Sequence, residues 1–255
     1  MISYNKINNV RKLERCAECI TIGRLAPDFM ALSTSGYVRL SDYRGKWVIL
    51  VSSPSAFGDV ATSEIINAAE YYDELLERNA YIIGLTTDNV YANLAWIYDI
   101  YQTTGVAIPF PIIADADLAV SELYGMLNPD RLYSETVRDT FIIDPTGRIR
   151  AIIALPVSTG RDFEELVRVF DSIQTKENYN LDTPSGWKPG DPYLVPNAAS
   201  YEEIINRMNN KEALGYYCPT WYLCYTNLDA ESGNNAAPPQ VNNNVAQPPV
   251  NNINS

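Results

Sequence analysis

Histidine is absent from all 255 residues of the chain. That absence removes mixed Cys/His zinc sites, histidine general bases and Ser-His-Asp triads in one step. Basic residues are also sparse: 19 Lys and Arg stand against 31 Asp and Glu, for a net charge of −12 and a pI near 4.5. The positive charges are scattered, which argues against nucleic acid or an anionic membrane as a partner. No apolar run reaches the roughly 18 residues that span a bilayer. The opening Met1-Ile2-Ser3-Tyr4-Asn5-Lys6 lacks the apolar core of a secretory signal. The expectation is therefore synthesis and retention on the cytoplasmic side, or release by lysis.

Cysteine is scarce too. Four are present, as Cys16 and Cys19 near the start and Cys218 and Cys224 near the end. Each pair could close a disulfide. A structural or intermolecular bridge is the default, idle buried thiols are an alternative, and a four-cysteine zinc site would require both ends of the chain to meet. No metal and no cofactor is expected.

What is abundant is apolar residue, 46 percent of the chain, enough for one sizeable buried core and a smaller appendage. Residues 1–20 form a polar extension containing Cys16 and Cys19. From residue 21 to 173, apolar β-rich runs alternate with amphipathic segments. Residues 47–51 and 81–85 are short and apolar enough for strands buried on both faces. Between them, residues 61–78 place Ile65, Ala68, Ala69, Tyr72, Leu75 and Leu76 at helical spacing, which predicts a right-handed βαβ unit. A second helix over 90–103 carries Leu94, Ile97, Tyr98 and Tyr101 on one face. Residues 140–143 and 149–154, joined by Pro145-Thr146-Gly147, read as a hairpin, and residues 162–173 as a closing helix. Residues 229–255 are rich in Asn, Pro and Gln with no charge after Glu231, so a disordered tail is expected there.

Several motifs in order resemble one family. Ala26-Pro27-Asp28-Phe29, Leu40-Ser41-Asp42-Tyr43-Arg44-Gly45-Lys46-Trp47, Pro109-Phe110-Pro111-Ile112-Ile113-Ala114-Asp115, Tyr124-Gly125-Met126 and Phe141-Ile142-Ile143-Asp144-Pro145 are similar to peroxiredoxin segments. The stretch Pro54-Ser55-Ala56-Phe57-Gly58-Asp59-Val60-Ala61 resembles the family's active-site loop. The resemblance implies an α/β thioredoxin-like sandwich over 21–173. It also implies a smaller C-terminal domain over 174–228, including Thr183-Pro184-Ser185-Gly186-Trp187-Lys188-Pro189-Gly190-Asp191, of the one-cysteine subgroup. In that subgroup this domain supports dimers that can assemble into decamers, so a homodimer or larger self-assembly is expected. The aromatics Tyr216, Tyr217, Trp221, Tyr222 and Tyr225 fit a buried subunit contact, and a core cluster within one chain would look the same.

The resemblance also marks what is missing. The family's loop is Pro, three residues, Thr or Ser, two residues, Cys. Here Pro54 is kept, Gly58 takes the threonine place and Ala61 the place of the reactive cysteine. Ser53 replaces a histidine of the nearest subgroup, and Asp59 a usual proline. Arg138, Glu64 and Arg161 match the family's active-site arginine, its glutamate and a further arginine. In the family the thiolate attacks a peroxide oxygen, helped by a helix N-terminus and arginine that lower the thiol pKa. Alanine has no nucleophilic atom and glycine no hydroxyl, so no catalytic residue is expected in this vestigial pocket.

The leading expectation is a non-catalytic, oligomeric structural protein, with intermolecular disulfides as one device for cross-linking. It resembles peroxiredoxin-type modules in the spore coats of anaerobic endospore formers, made in the mother-cell cytoplasm and deposited on the spore surface. A second reading is an antioxidant thiol peroxidase using Cys218 or Cys224. A third is a small-anion or ligand sensor at the vacated pocket, since a helix N-terminus beside a guanidinium attracts anions.

Overall fold

The computed structural model describes residues 20–127 and 135–228. The chain divides into two compact units, residues 1–167 and 168–255. The division falls inside one long helix, whereas the sequence reading placed it at 173/174. Residues 1–19 with Cys16 and Cys19, and the expected disordered tail over 229–255, lie outside the described residues.

The first unit is built on a seven-stranded sheet in the order β2-β1-β5-β4-β3-β6-β7. Its strands are β1 (Met30–Ser33), β2 (Gly36–Arg39), β3 (Trp47–Ser53), β4 (Ala80–Thr86), β5 (Ile112–Ala114), β6 (Arg138–Ile143) and β7 (Ile149–Leu155). β3 runs parallel to β4, and β4 to β5, while β6 pairs antiparallel with β3 and β7. β3 is central and nearly all apolar, because both of its faces are covered. Val48 and Leu50 join Phe29, Ile83, Leu85, Tyr124, Phe141 and Ile143 in one core cluster.

The crossover from β3 to β4 is two helices, α1 (Asp59–Glu70) and α2 (Tyr72–Glu77), not the single helix expected over 61–78. They break at Tyr71, which is at once the C-cap of α1 and the N-cap of α2, at φ −94° and ψ 0°. α1 also begins two residues earlier than expected, so Ala61 falls in its first turn. The next helix, α3 (Val90–Thr104), is capped by Asn89, whose side chain accepts from the N–H of Ala92 at 3.0 Å.

Its buried face differs from the one read in the sequence. Asn93, Trp96 and Ile100 are buried, whereas Leu94, Tyr98 and Tyr101 are exposed. The reason is hydrogen bonding: Thr86 Oγ1 donates to Asn93 Oδ1 at 2.8 Å, and Trp96 Nε1 donates to Thr62 Oγ1 at 3.0 Å. A polar residue with partners is buried here in preference to an apolar one.

The β6–β7 hairpin forms as expected, and Asp144 organises its turn. Its Oδ1 accepts from Thr146 N, Thr146 Oγ1 and Arg148 N at 2.7–2.9 Å. Burial pushes this carboxyl up, but those bonds and the Arg150 guanidinium overcome it and hold it below the usual carboxylate range. The short helix α4 (Ala119–Tyr124) and the β1–β2 hairpin carry too few residues for a periodic signal and were not anticipated.

The long helix α5 (Phe163–Tyr179) runs past the expected end at residue 173. In the second unit, helix α6 (Tyr201–Asn210) is capped by Ser200, which accepts from Glu203 N, while the Glu203 carboxylate reaches back to accept from Ala199 N. A three-stranded sheet follows the order β8 (Tyr193–Leu194), β10 (Leu223–Thr226), β9 (Tyr217–Thr220). Cys218 and Cys224 face each other across β9 and β10 and form a disulfide within the chain, with Cα atoms 4.1 Å apart. This overturns intermolecular bridging or idle thiols for that pair, and the four-cysteine zinc alternative loses two ligands.

The five aromatics do not form one buried cluster. Trp221 and Tyr222 stack edge-on at 5.4 Å and are 45 and 55% exposed, while Tyr217 and Tyr225 pair across the strands.

Candidate functional site

The site sits where β3 ends and α1 begins. Two residues after β4 hold the intervening loop. Thr87 Oγ1 donates to the Pro54 carbonyl at 2.8 Å, and Asp88 Oδ2 accepts from Ala56 N at 2.6 Å. Phe57 has φ of +59°, a left-handed conformation that a bulky residue adopts only when its surroundings impose it. Gly58 is the N-cap of α1 at φ −65° and ψ 140°, with no side-chain cap bond. Thr62 Oγ1 returns to the Gly58 carbonyl at 2.7 Å, extending the Trp96–Thr62 contact to the loop.

Ala61 lies in this first turn and is 1% exposed. A Cβ built on Gly58 would stand 3.4 Å from the Ala61 Cβ. Residues 58 and 61 therefore have contact geometry, and the Gly58 backbone is one that any residue can adopt.

One helical turn onward is Glu64, buried at 3%. Its Oε1 accepts from Arg161 N at 2.7 Å and Arg161 Nε at 2.9 Å. Its Oε2 accepts from Arg161 Nη2 at 2.8 Å and Arg138 Nη1 at 2.5 Å. Arg138 also donates from Nε to the Val157 carbonyl at 2.7 Å. Arg161 donates further to the Asp139 carbonyl oxygen at 3.0 Å and to Ser53 Oγ at 3.2 Å. A carboxylate taken out of water needs this degree of pairing. Here it is shared by two guanidiniums, which leaves the group with net positive charge.

Burial lowers the Arg138 pKa below the usual guanidinium value; Glu64 opposes that shift, and the Arg161 charge adds to it. Asp139, on the opposite face of β6 from Arg138, is 5% exposed. Burial raises its carboxyl to about 6, with Arg161 opposing. Beside the cluster is a cavity of about 20 Å³, room for one water, between Glu64, Arg161, Ser53, Thr86 and the rings of Trp96, Phe110 and Phe163.

The structure thus brings Gly58, Ala61, Glu64, Arg138 and Arg161 to one place, with Pro54 anchoring the loop. Glu64 pairs with Arg138, and its larger set of bonds is to Arg161. Asp139 was missed, since a charged residue beside Arg138 in a strand gives no sign of burial. Among the described residues no group of Cys, Asp and Glu could hold a metal ion, and no helix is long and apolar enough to cross a membrane.

A thioredoxin-like α/β sheet whose first crossover helix carries a buried Glu, paired with two arginines, one turn after its N-terminus is the arrangement of the peroxiredoxin class of fold. The sequence pattern of the AhpC/TSA family matches residues 22–152, and that of the C-terminal domain of 1-Cys peroxiredoxin matches residues 172–211. The chain belongs to the peroxiredoxin family. It is 46% identical over 204 residues to Peroxiredoxin 2 of Caldanaerobacter subterraneus subsp. tengcongensis, covering 80% of this chain and 91% of that protein. It is 39% identical to a peroxiredoxin of Thermoplasma volcanium, covering 80% and 97%. Among solved structures, the yeast mitochondrial 1-Cys peroxiredoxin superposes with a TM-score of 0.74 at 32% identity, covering 82% of this chain and 100% of the other. The 2-Cys peroxiredoxin of Plasmodium vivax gives 0.63 at 29% identity, covering 69% and 93%.

Proposed function

We propose that this peroxiredoxin-family chain does not reduce peroxide at its helix tip and serves as a self-assembling structural protein. The observation that carries the reading is Ala61, a buried methyl group in the first turn of α1, where the fold would present a nucleophile. Peroxide cleavage requires an electron pair from sulfur in line with the O–O bond, and carbon bearing three hydrogens has none to give. The cations beside it are already engaged: Arg138 by Glu64 and Val157, Arg161 by Glu64, Asp139 and Ser53. An anion entering as ligand would compete with Glu64 for both.

Self-assembly is supported by two surfaces. β7 lies at the edge of its sheet with Ile152, Ile153 and Leu155 half-buried; its first residue, Ile149, already bonds the backbone of Gly23 and Arg24, and the strand beyond it is the edge proposed for further pairing. Trp221 and Tyr222 project from the second unit. On this reading the protein is made in the cytoplasm and laid down in a layer such as a spore surface, where antibody labelling of intact spores would find it.

A second reading keeps peroxidase chemistry at Cys218 and Cys224. The names of the relatives favour it, and so does the disulfide, which is the oxidised half of a dithiol couple. In that scheme one thiolate takes the distal peroxide oxygen to give a sulfenic acid and an alcohol, and the second thiol displaces water to close the disulfide. The deciding experiment is hydrogen peroxide or an organic hydroperoxide with excess dithiothreitol. The structural reading expects no more than one turnover per cysteine; sustained consumption that vanishes in Cys218→Ser would establish the second.

A further inference from the structure

We infer that the Cys218–Cys224 disulfide is a reducible lock on the small sheet of the second unit, opened by a dithiol reductant. The cluster under that sheet has three buried apolar residues, Val195, Cys218 and Cys224, with Met208 and Tyr216 only partly buried against them. Two of the three are the halves of the bridge. Helix α6 adds no buried residue. The strands have two, four and four residues, and β9 contains Pro219, which donates no ladder hydrogen bond. A hairpin of that size is marginal without a covering layer.

Two further features weigh against the sheet standing alone. Thr220 Oγ1 and Arg207 Nη1 are buried with no hydrogen-bond partner among the described residues. Against this, the bridge closes a loop at a separation of six residues and restricts the unfolded hairpin. It also holds Cys224 where its carbonyl accepts from Val195 N at 2.8 Å, the contact that leads into β8.

Opening the lock follows ordinary exchange. A reductant thiolate attacks Cys218 Sγ, on the less deeply buried of the two residues, forming a mixed disulfide and releasing the Cys224 thiolate. The reductant's second thiol then attacks its own bridged sulfur and releases Cys218. The reductant leaves as its cyclic disulfide, two electrons have passed to the protein, and protons from solvent complete the thiols. The oxidised form presents Trp221 and Tyr222 on a fixed turn; the reduced form does not. Where assembly uses that turn, it responds to the redox state, a consequence that rests on the structural reading above.

The test is hydrogen exchange on the whole chain carrying Cys16→Ser and Cys19→Ser, so that only one disulfide is reducible. With dithiothreitol, amides of Tyr217–Thr220 and Leu223–Thr226 should exchange about thirtyfold faster, while β3 and β4 keep their protection. Cys218→Ala with Cys224→Ala should show the same loosening without reductant. Unchanged protection in either sample overturns the lock. Sedimentation of the same samples separates the two claims: a loosened sheet with unchanged mass keeps the lock and removes the turn from the assembly contact.

Discussion

Arg161 holds Glu64 through three donors at once, its backbone N–H, Nε and Nη2, across 97 positions of sequence. The carboxylate is thereby the hub of the pocket. Glu64→Gln leaves two buried guanidiniums facing a neutral amide and should destabilise the first unit by about 3–5 kcal/mol. Urea unfolding followed by tryptophan fluorescence measures this. A loss under about 1 kcal/mol would mean the cluster is solvated in solution.

The converse experiment installs a thiol at the helix tip. Ala61→Cys with Gly58→Thr places a thiol and a hydroxyl on a backbone that accepts both, since Cβ atoms at the two positions sit 3.4 Å apart. Weak peroxide turnover should appear, with Asp59 opposing thiolate formation so that Asp59→Pro raises the rate further. Complete inactivity of the triple variant would show that this pocket geometry does not hold in solution.

Asp139 makes stability depend on pH in an uncommon direction. Its folded pKa, about 6, lies above the ordinary aspartate value, so the fold favours the protonated acid. That contribution is fully present below about pH 4 and is lost as pH rises through 6, amounting to about 3 kcal/mol. Asp139→Asn removes the dependence. The stability of the variant relative to the parent should rise between pH 4 and 7; a flat difference would contradict the burial of this carboxyl. Asp144, held low, acts oppositely, losing its contribution as pH falls below the ordinary carboxylate range, and it is common to both proteins.

Asn93 anchors the buried face of α3. Asn93→Ala leaves the Thr86 hydroxyl and the Ile113 carbonyl without their partner and should cost about 1–3 kcal/mol. Tyr98→Ala, on the exposed face, should change stability by less than about 0.5 kcal/mol. Thermal melts of the two variants check the assignment of the buried face, and equal losses would reverse it.

Much of the architecture was legible in the chain. The β3 and β4 runs are continuous apolar segments because both faces are covered, and such runs announce themselves. The α3 face was misread because periodicity counts apolar residues and cannot see that Asn93 has partners waiting on β4 and β5. The break at Tyr71 left no mark either, since both halves of the crossover keep helical spacing. The disulfide was one alternative among several, because spacing alone does not say which thiols meet.

Ala61 and Gly58 are covalent facts: no folding can supply sulfur or a hydroxyl to side chains that lack them, and the sequence alone determined what these two positions carry. Which charges lie near Ala61 was decided by the tertiary structure. Glu64, Arg138 and Arg161 come from a helix, a strand and a loop far apart in the chain, and only burial, which makes an unpaired charge too costly to keep, brings them onto one another.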